Sequence, residues 1–218
     1  LILLVLAFYA YSVRDTQSLI RNKGVKNLDF LSGPEKKVII ELNSARTNPA
    51  KFAEYLIDFK RFYLGKHIHI ARENPVITKE GVTAVNEAID FLKSIEPLKP
   101  LRVSKGLSLA AKSHAKDQRS KGTTGHQGSD KSSPTERMNR YGECEKVAAE
   151  NLGYGTRNPR HIVIYLIIDD DVKNRGHRKN IFNADLKVVG VSIDVHSRFG
   201  TMCVMNFAAS YIEKKTRY

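Results

Sequence analysis

The ten residues 201–210, TMCVMNFAAS, are nearly all apolar, and the run before them, 188–195, VVGVSIDV, alternates with a period of two. Val189, Val191, Ile193 and Val195 therefore share one face of a strand, and HSRFG at 196–200 makes the turn between the runs. The second run lacks a polar face, so it reads as a central strand of a sheet. A chain that ends in such a hairpin must supply other elements to cover it.

The covering elements are helices, and they come first. From Pro34, Val38, Ile39, Leu42 and Ala45 recur at the spacing of one helical face. Asn48-Pro49 breaks this pattern and starts a second helix as N-cap and first residue. Its apolar positions are Phe52, Tyr55, Leu56 and Phe59. A third helix fits 81–95, and a fourth runs from Ser104 as N-cap to Gly122 as stop, with Leu107, Ala110, Ala111 and His114 on one stripe. Ser133-Pro134 starts a short fifth. Residues 13–33 read as a linker, 62–79 as a loop holding His67 and His69, and the end of the chain as a polar tail. HIVIYLII at 161–168 is apolar throughout: its β-branched residues favour a buried strand, whereas its length and Pro159 also allow a buried helix. Helices first and antiparallel strands last argue for an α+β fold with helices packed on a small sheet.

The chain has 218 residues, enough for one domain with an extension. The opening LILLVLAFYAYS, residues 1–12, carries no charge and resembles the core of a signal peptide or the end of a membrane anchor; a buried N-terminal helix is the third reading. The first two place the rest outside the cytosol. The net charge of +13 suggests attraction to acidic surfaces. Lys99, Arg102, Lys105, Lys112, Lys116, Arg119 and Lys121 face only Asp117 in the stretch 99–121. No aromatic residues are interleaved there, so nucleic acid is not an expected partner, and a solvated helix face or an acidic lipid surface are the readings left. The two cysteines, Cys144 and Cys203, allow one disulfide, whose 59-residue loop (203 − 144) would contribute about 4 kcal/mol.

His126 lies in a Gly-rich loop, where backbone and ring can approach a ligand closely. Glu150 is an acid in the small apolar stretch VAAENLGY, a placement that requires a partner. Asp169 ends an apolar run and opens DDDVKNRGHRKNIF, which also holds His177. Two imidazoles and two carboxylates converging on a cleft suit either a zinc-like site or an acid/base pair. Ser129, Ser132, Ser133 and Cys144 are the nucleophiles a hydrolase could use, although none sits in a strained elbow motif and acidic neighbours disfavour the Cys144 thiolate.

Taken in order, ELNSARTNPAKFA, GHQGSDKSSPTERMNRYG, AENLGYG, DDDVKNRGHRKNIFN and VVGVSIDVH resemble the CAP superfamily of cysteine-rich secretory, antigen 5 and pathogenesis-related proteins, also called the SCP domain. The likeness spans roughly residues 36–210 and is to the cysteine-poor branch found in bacteria and protists. It implies an α-β-α sandwich with a central antiparallel sheet, a domain over 34–212 with 62–100 as an insertion, and HIVIYLII as a helix. It also implies a cleft formed by His126, Glu150, Asp169 and His177 that binds a divalent metal, most often zinc. Asp169 stands where the family more often has Glu within a Trp-containing stretch. Asn151, Asp170, Arg175 and Arg178 would support the cleft, and Asp171 would cap it or pair with an arginine. The function implied is a secreted, non-enzymatic binding protein with a lipid, sterol or acidic-membrane partner. A histidine-based hydrolase and an extracellular protein-interaction module are the alternatives.

Overall fold

A computed structural model describes residues 28–71, 73 and 75–214. The signal-like opening and most of the linker lie outside these residues. Leu31 is only 4% exposed and packs in the core, so the domain begins before Pro34. At the other end Glu213 accepts hydrogen bonds from Ser104 Oγ and the Gly106 N–H, which ties residue 213 into the domain.

Helix α1 spans Gly33–Thr47 and starts at Ser32, whose hydroxyl and the Glu35 carboxylate form a capping box. Val38, Ile39, Leu42 and Ala45 are fully buried, the face read from the sequence. Asn48 ends α1 and accepts from the Lys51 N–H to start α2, Pro49–Phe59. Residues 62–79, expected as a loop, hold a small antiparallel sheet of β1 (Tyr63–Leu64), β2 (His67–Ile68) and β3 (Val76–Ile77). Runs of two residues are too short for a periodic signal. Helix α3, Val82–Ser94, follows, then β4, Arg102–Val103, and α4, Lys105–Arg119, capped by Ser104. Ser133 caps α5, Pro134–Asn139. Strand β5 is Gly142–Tyr154, α6 is Pro159–Ile168, α7 is Gly176–Ile181, and β6 (Val188–His196) and β7 (Gly200–Glu213) form the hairpin.

HIVIYLII is helical. Asn158 accepts from the Arg160 and His161 N–H groups and Pro159 opens the first turn, so the local caps outweigh the β-branched side chains. Six residues of α6 are buried, as a helix apolar on all sides requires.

The main sheet has the order β4-β6-β7-β5, with β7 in the interior as its apolar sequence demands. The β6–β7 and β7–β5 pairs are antiparallel. Edge strand β4 pairs with β6 in parallel, so the sheet is mixed rather than wholly antiparallel. Three layers result. Val189, Val191, Cys203, Met205 and Phe207 face the larger cluster with α1, α2, α3 and α6, whereas Met202, Val204 and Ala208 face α4. Helix α4 lies so close to β6 that a Cβ on Gly190 would come 2.1 Å from the Ser108 nitrogen. Only glycine allows this approach.

The two cysteines are free. Cys203 sits opposite Gly153 on β5, and Cys144 lies nine residues back along that strand, opposite Tyr211. That spacing amounts to about 30 Å, where a disulfide needs Cα atoms within about 7 Å. The bridge admitted by the sequence is thus ruled out by register.

Candidate functional site

Strand β5 is an edge strand, and its neighbouring residues Glu150 and Asn151 point to opposite faces of the sheet. On one face Glu150 meets α5 and the loop before it. On the other Asn151 meets α7. The four residues expected to share a cleft come together as two His–carboxylate pairs, one on each face of this strand.

In the first pair, His126 Nδ1 lies 3.0 Å from Glu150 Oε1. Glu150 is buried, and its charge is matched by Arg137, whose Nη2 donates to Oε1 at 3.0 Å and to Oε2 at 2.9 Å. Arg137 is itself only 2% exposed and also donates to the Ser132 carbonyl, which closes the loop. Such a buried charge pair is satisfied only as a unit. The peptide before His126 is held from behind. The Gly125 carbonyl accepts from Gln118 Nε2 at 2.7 Å and lies 3.0 Å from His114 Nε2, and Tyr154 donates its hydroxyl to Gln118 Oε1. His114 is thus a core histidine, and burial lowers its pKa.

In the second pair, His177 Nδ1 lies 2.6 Å from Asp169 Oδ1. Asp169 Oδ2 accepts the backbone N–H of His177 at 2.8 Å and that of Arg178 at 3.3 Å. Among the described residues no lysine or arginine pairs with this carboxylate; the N–H groups of the first turn of α7 stabilise it. The backbone around it adopts the left-handed region at Asp169, Asp171 and Arg175, three residues without glycine's freedom. A dense network holds that conformation. Arg175 donates to the Asp169 carbonyl at 2.7 Å and to both oxygens of Glu80, and it also contacts Glu87. Arg178 donates to the Ile167 and Ile168 carbonyls and to Glu87. The hydrogen bonds from Arg175 pull the Glu80 carboxyl down to about 2, and Arg175 is raised in turn.

The supporting residues fall into place around these pairs. Asn151 donates to the His177 carbonyl at 3.0 Å and accepts from Asn180. Asp170 accepts the N–H groups of Lys79 and Glu80, just ahead of α3. Asp171 forms no pair with an arginine among the described residues; its N–H donates to Glu80 instead. The sequence reading missed Arg137, Glu80 and Glu87. Only Arg137 left a signal, because an acid as buried as Glu150 demands a cation.

Among the described residues no group of three or more His, Cys, Asp or Glu side chains is placed to hold a metal ion. Both carboxylates are already consumed, Glu150 by Arg137 and Asp169 by backbone N–H groups. A four-ligand set therefore does not fit. Each imidazole ring has its Nδ1 engaged with a carboxylate, the arrangement that orients metal-binding histidines. Neither Nε2 forms a hydrogen bond among the described residues. The candidate nucleophiles are directed elsewhere. Ser129 donates to Asp117, Ser132 to Asp130 and Ser133 to Glu136. Burial pushes the Cys144 thiol up to about 11, and it lies against Met138.

The family model described as the cysteine-rich secretory protein family (CAP) matches residues 82–207. The match begins at the first residue of α3, inside the 62–100 segment. A Bacillus subtilis protein, the uncharacterized protein YkwD, is 33% identical over 94 residues, which are 43% of this chain and 35% of that protein. This chain thus spans about a third of the relative's length. Among solved structures, an extracellular SCP-domain protein from Bacillus anthracis is 17% identical with a TM-score of 0.42, covering 59% of this chain and 38% of that one. An outer surface protein from Borrelia burgdorferi is 19% identical with a TM-score of 0.45, covering 62% and 97%. A cysteine-rich secretory protein from Staphylococcus aureus is 15% identical with a TM-score of 0.40, covering 72% and 49%. The family match extends over more than half of the chain and takes in both histidine–carboxylate pairs: the chain belongs to the CAP family.

Proposed function

We propose that this protein is a non-enzymatic, extracytoplasmic CAP module that captures a divalent metal ion, zinc by donor type, through His126 and His177. One observation carries the reading: both rings are anchored at Nδ1 by a carboxylate, which leaves both Nε2 nitrogens as available donors. Glu150 and Asp169 hold the rings and keep their tautomers. When bound, the ion supplies a Lewis-acidic anchor for an anionic or carbonyl oxygen at the β5 edge. With only two protein donors the site is expected to be labile, as suits reversible capture. The extracytoplasmic placement draws support from the apolar opening of the chain and from the family.

Zinc calorimetry on the full chain tests this. The wild type should take up zinc at a single site, His126→Ala and His177→Ala should each lose most of the affinity, and the double variant should lose it all. Uptake that persists in the double variant, or no uptake by the wild type, overturns the proposal.

A further inference from the structure

The small sheet of β1, β2 and β3 has two faces of opposite character. Its inner row, Tyr63, Ile68 and Val76, packs on the main core, and Ile68 is 2% exposed. Its outer row follows from the register: Leu64 pairs with His67, and His67 pairs with Ile77. Leu64 is 74% exposed and Ile77 72%, more than any other large hydrophobic residue among those described. A lone exposed leucine means nothing, but two aliphatic side chains flanking one imidazole, on strands otherwise anchored to the core, form a built edge.

Two cations stand at this edge. Lys66 lies in the β1–β2 turn and Lys79 just after β3; both are exposed, and neither forms an ion pair among the described residues. Of the nearby acids, Asp58 pairs with Arg61, Glu80 pairs with Arg175, and the Asp170 carboxylate is held by the backbone N–H groups of Lys79 and Glu80. His67 and His69 add two exposed rings 6.1 Å apart.

We infer that this hairpin face docks on an anionic lipid bilayer, with Leu64 and Ile77 entering the headgroup boundary and Lys66 and Lys79 meeting lipid phosphates. A protein partner is the poorer fit. Two aliphatic side chains fall far short of the roughly 800 Å² per side that a stable protein interface buries. For a bilayer, a few inserted apolar groups and nearby lysines suffice, each lysine strengthening binding by about fivefold. The excess of cations over the whole chain, +13, acts in the same direction at longer range. The inference does not depend on the histidine pairs or on zinc.

The chain contains no tryptophan, so an indole placed at one position is a site-specific reporter even when other segments touch lipid. The experiment uses full-length Leu64→Trp, with Ile77→Trp as a second reporter and Ile212→Trp, 54% exposed on β7, as the control. Each is mixed with vesicles of phosphatidylcholine and phosphatidylserine that carry bromine on the acyl chains. Both hairpin reporters should shift to the blue and be quenched, the control should not, and Lys66→Ala/Lys79→Ala should weaken vesicle binding about twenty- to thirtyfold. Absence of quenching at both hairpin positions overturns the inference. So does equal quenching of the control, or equal quenching in pure phosphatidylcholine. Retention on a polyanion without quenching would assign the face to an acidic macromolecule and overturn the bilayer.

Discussion

The two histidine–carboxylate pairs reach similar ring geometry by different means. Glu150 is neutralised by a side chain, Arg137, on a separate helix, and both charges are sealed from solvent. Asp169 is held by backbone N–H groups eight and nine residues ahead, in a segment whose left-handed residues are strapped by Arg175 and Arg178 to α3. The difference shows where each pair is vulnerable. The first rests on a single buried cation. The second spreads over many partly exposed contacts and a strained backbone, so no one ion pair is decisive.

The largest expected effect is therefore on the first pair. Arg137→Met leaves Glu150 buried without its cation and should destabilise the protein by about 3–5 kcal/mol in chemical denaturation. A loss under about 1 kcal/mol would mean that Glu150 can reach solvent. For the second pair, Asp169→Asn removes a charge that accepts from one ring and two N–H groups. It should cost about 1.5–3 kcal/mol per charged hydrogen bond lost, and zinc affinity in calorimetry should fall about 10–100-fold.

Acid should separate the two regions. Burial lowers His114, behind the His126 loop, and also lowers His161 on α6. Folded-state pKa values below the ordinary 6.5 mean that their contribution is complete above 6.5 and declines as pH falls below it. Glu80 behaves in the opposite range: hydrogen bonds from Arg175 depress it from 4.5 to about 2, so its contribution holds above 4.5 and fades as pH falls toward 2. The ring protons of His114 should therefore titrate below 6.5 in NMR; a midpoint at or above 6.5 would contradict its burial. The smallest effect should come from Glu87→Gln. Its side chain is 48% exposed, Arg175 keeps Glu80, and the amide oxygen of Gln can still accept from Arg178 Nη1, so about 0–1 kcal/mol is expected by the same denaturation assay.

How legible each part was in the sequence follows from range. The β6–β7 hairpin and the helices that open at Ser104, Asn48 and Ser133 are written in local periodicity and caps, and they appear as read. His177 and Asp169 are eight residues apart, within one turn-rich segment, and their pairing could be anticipated. Arg137 could not be assigned to Glu150, because which face of a six-residue helix turns inward depends on packing. The strand reading of HIVIYLII failed on propensity alone, because a helix buried on every side has no amphipathic stripe. The cysteine pairing failed because strand register cannot be read from sequence. The small sheet at 63–77 is built from strands of two residues, below the length at which alternation is visible.

The central claim is that His126 and His177 each present a free Nε2 because Nδ1 is held by a carboxylate. Long-range proton–nitrogen NMR on the histidine rings, at a pH where they are neutral and before and after adding zinc, reads this directly. The expected result is the Nδ1–H tautomer at both His126 and His177, with zinc shifting their Nε2 signals and leaving the other five of the seven histidines unchanged. An Nε2–H tautomer at either ring, or zinc shifts confined to the exposed pair His67 and His69, would contradict the account.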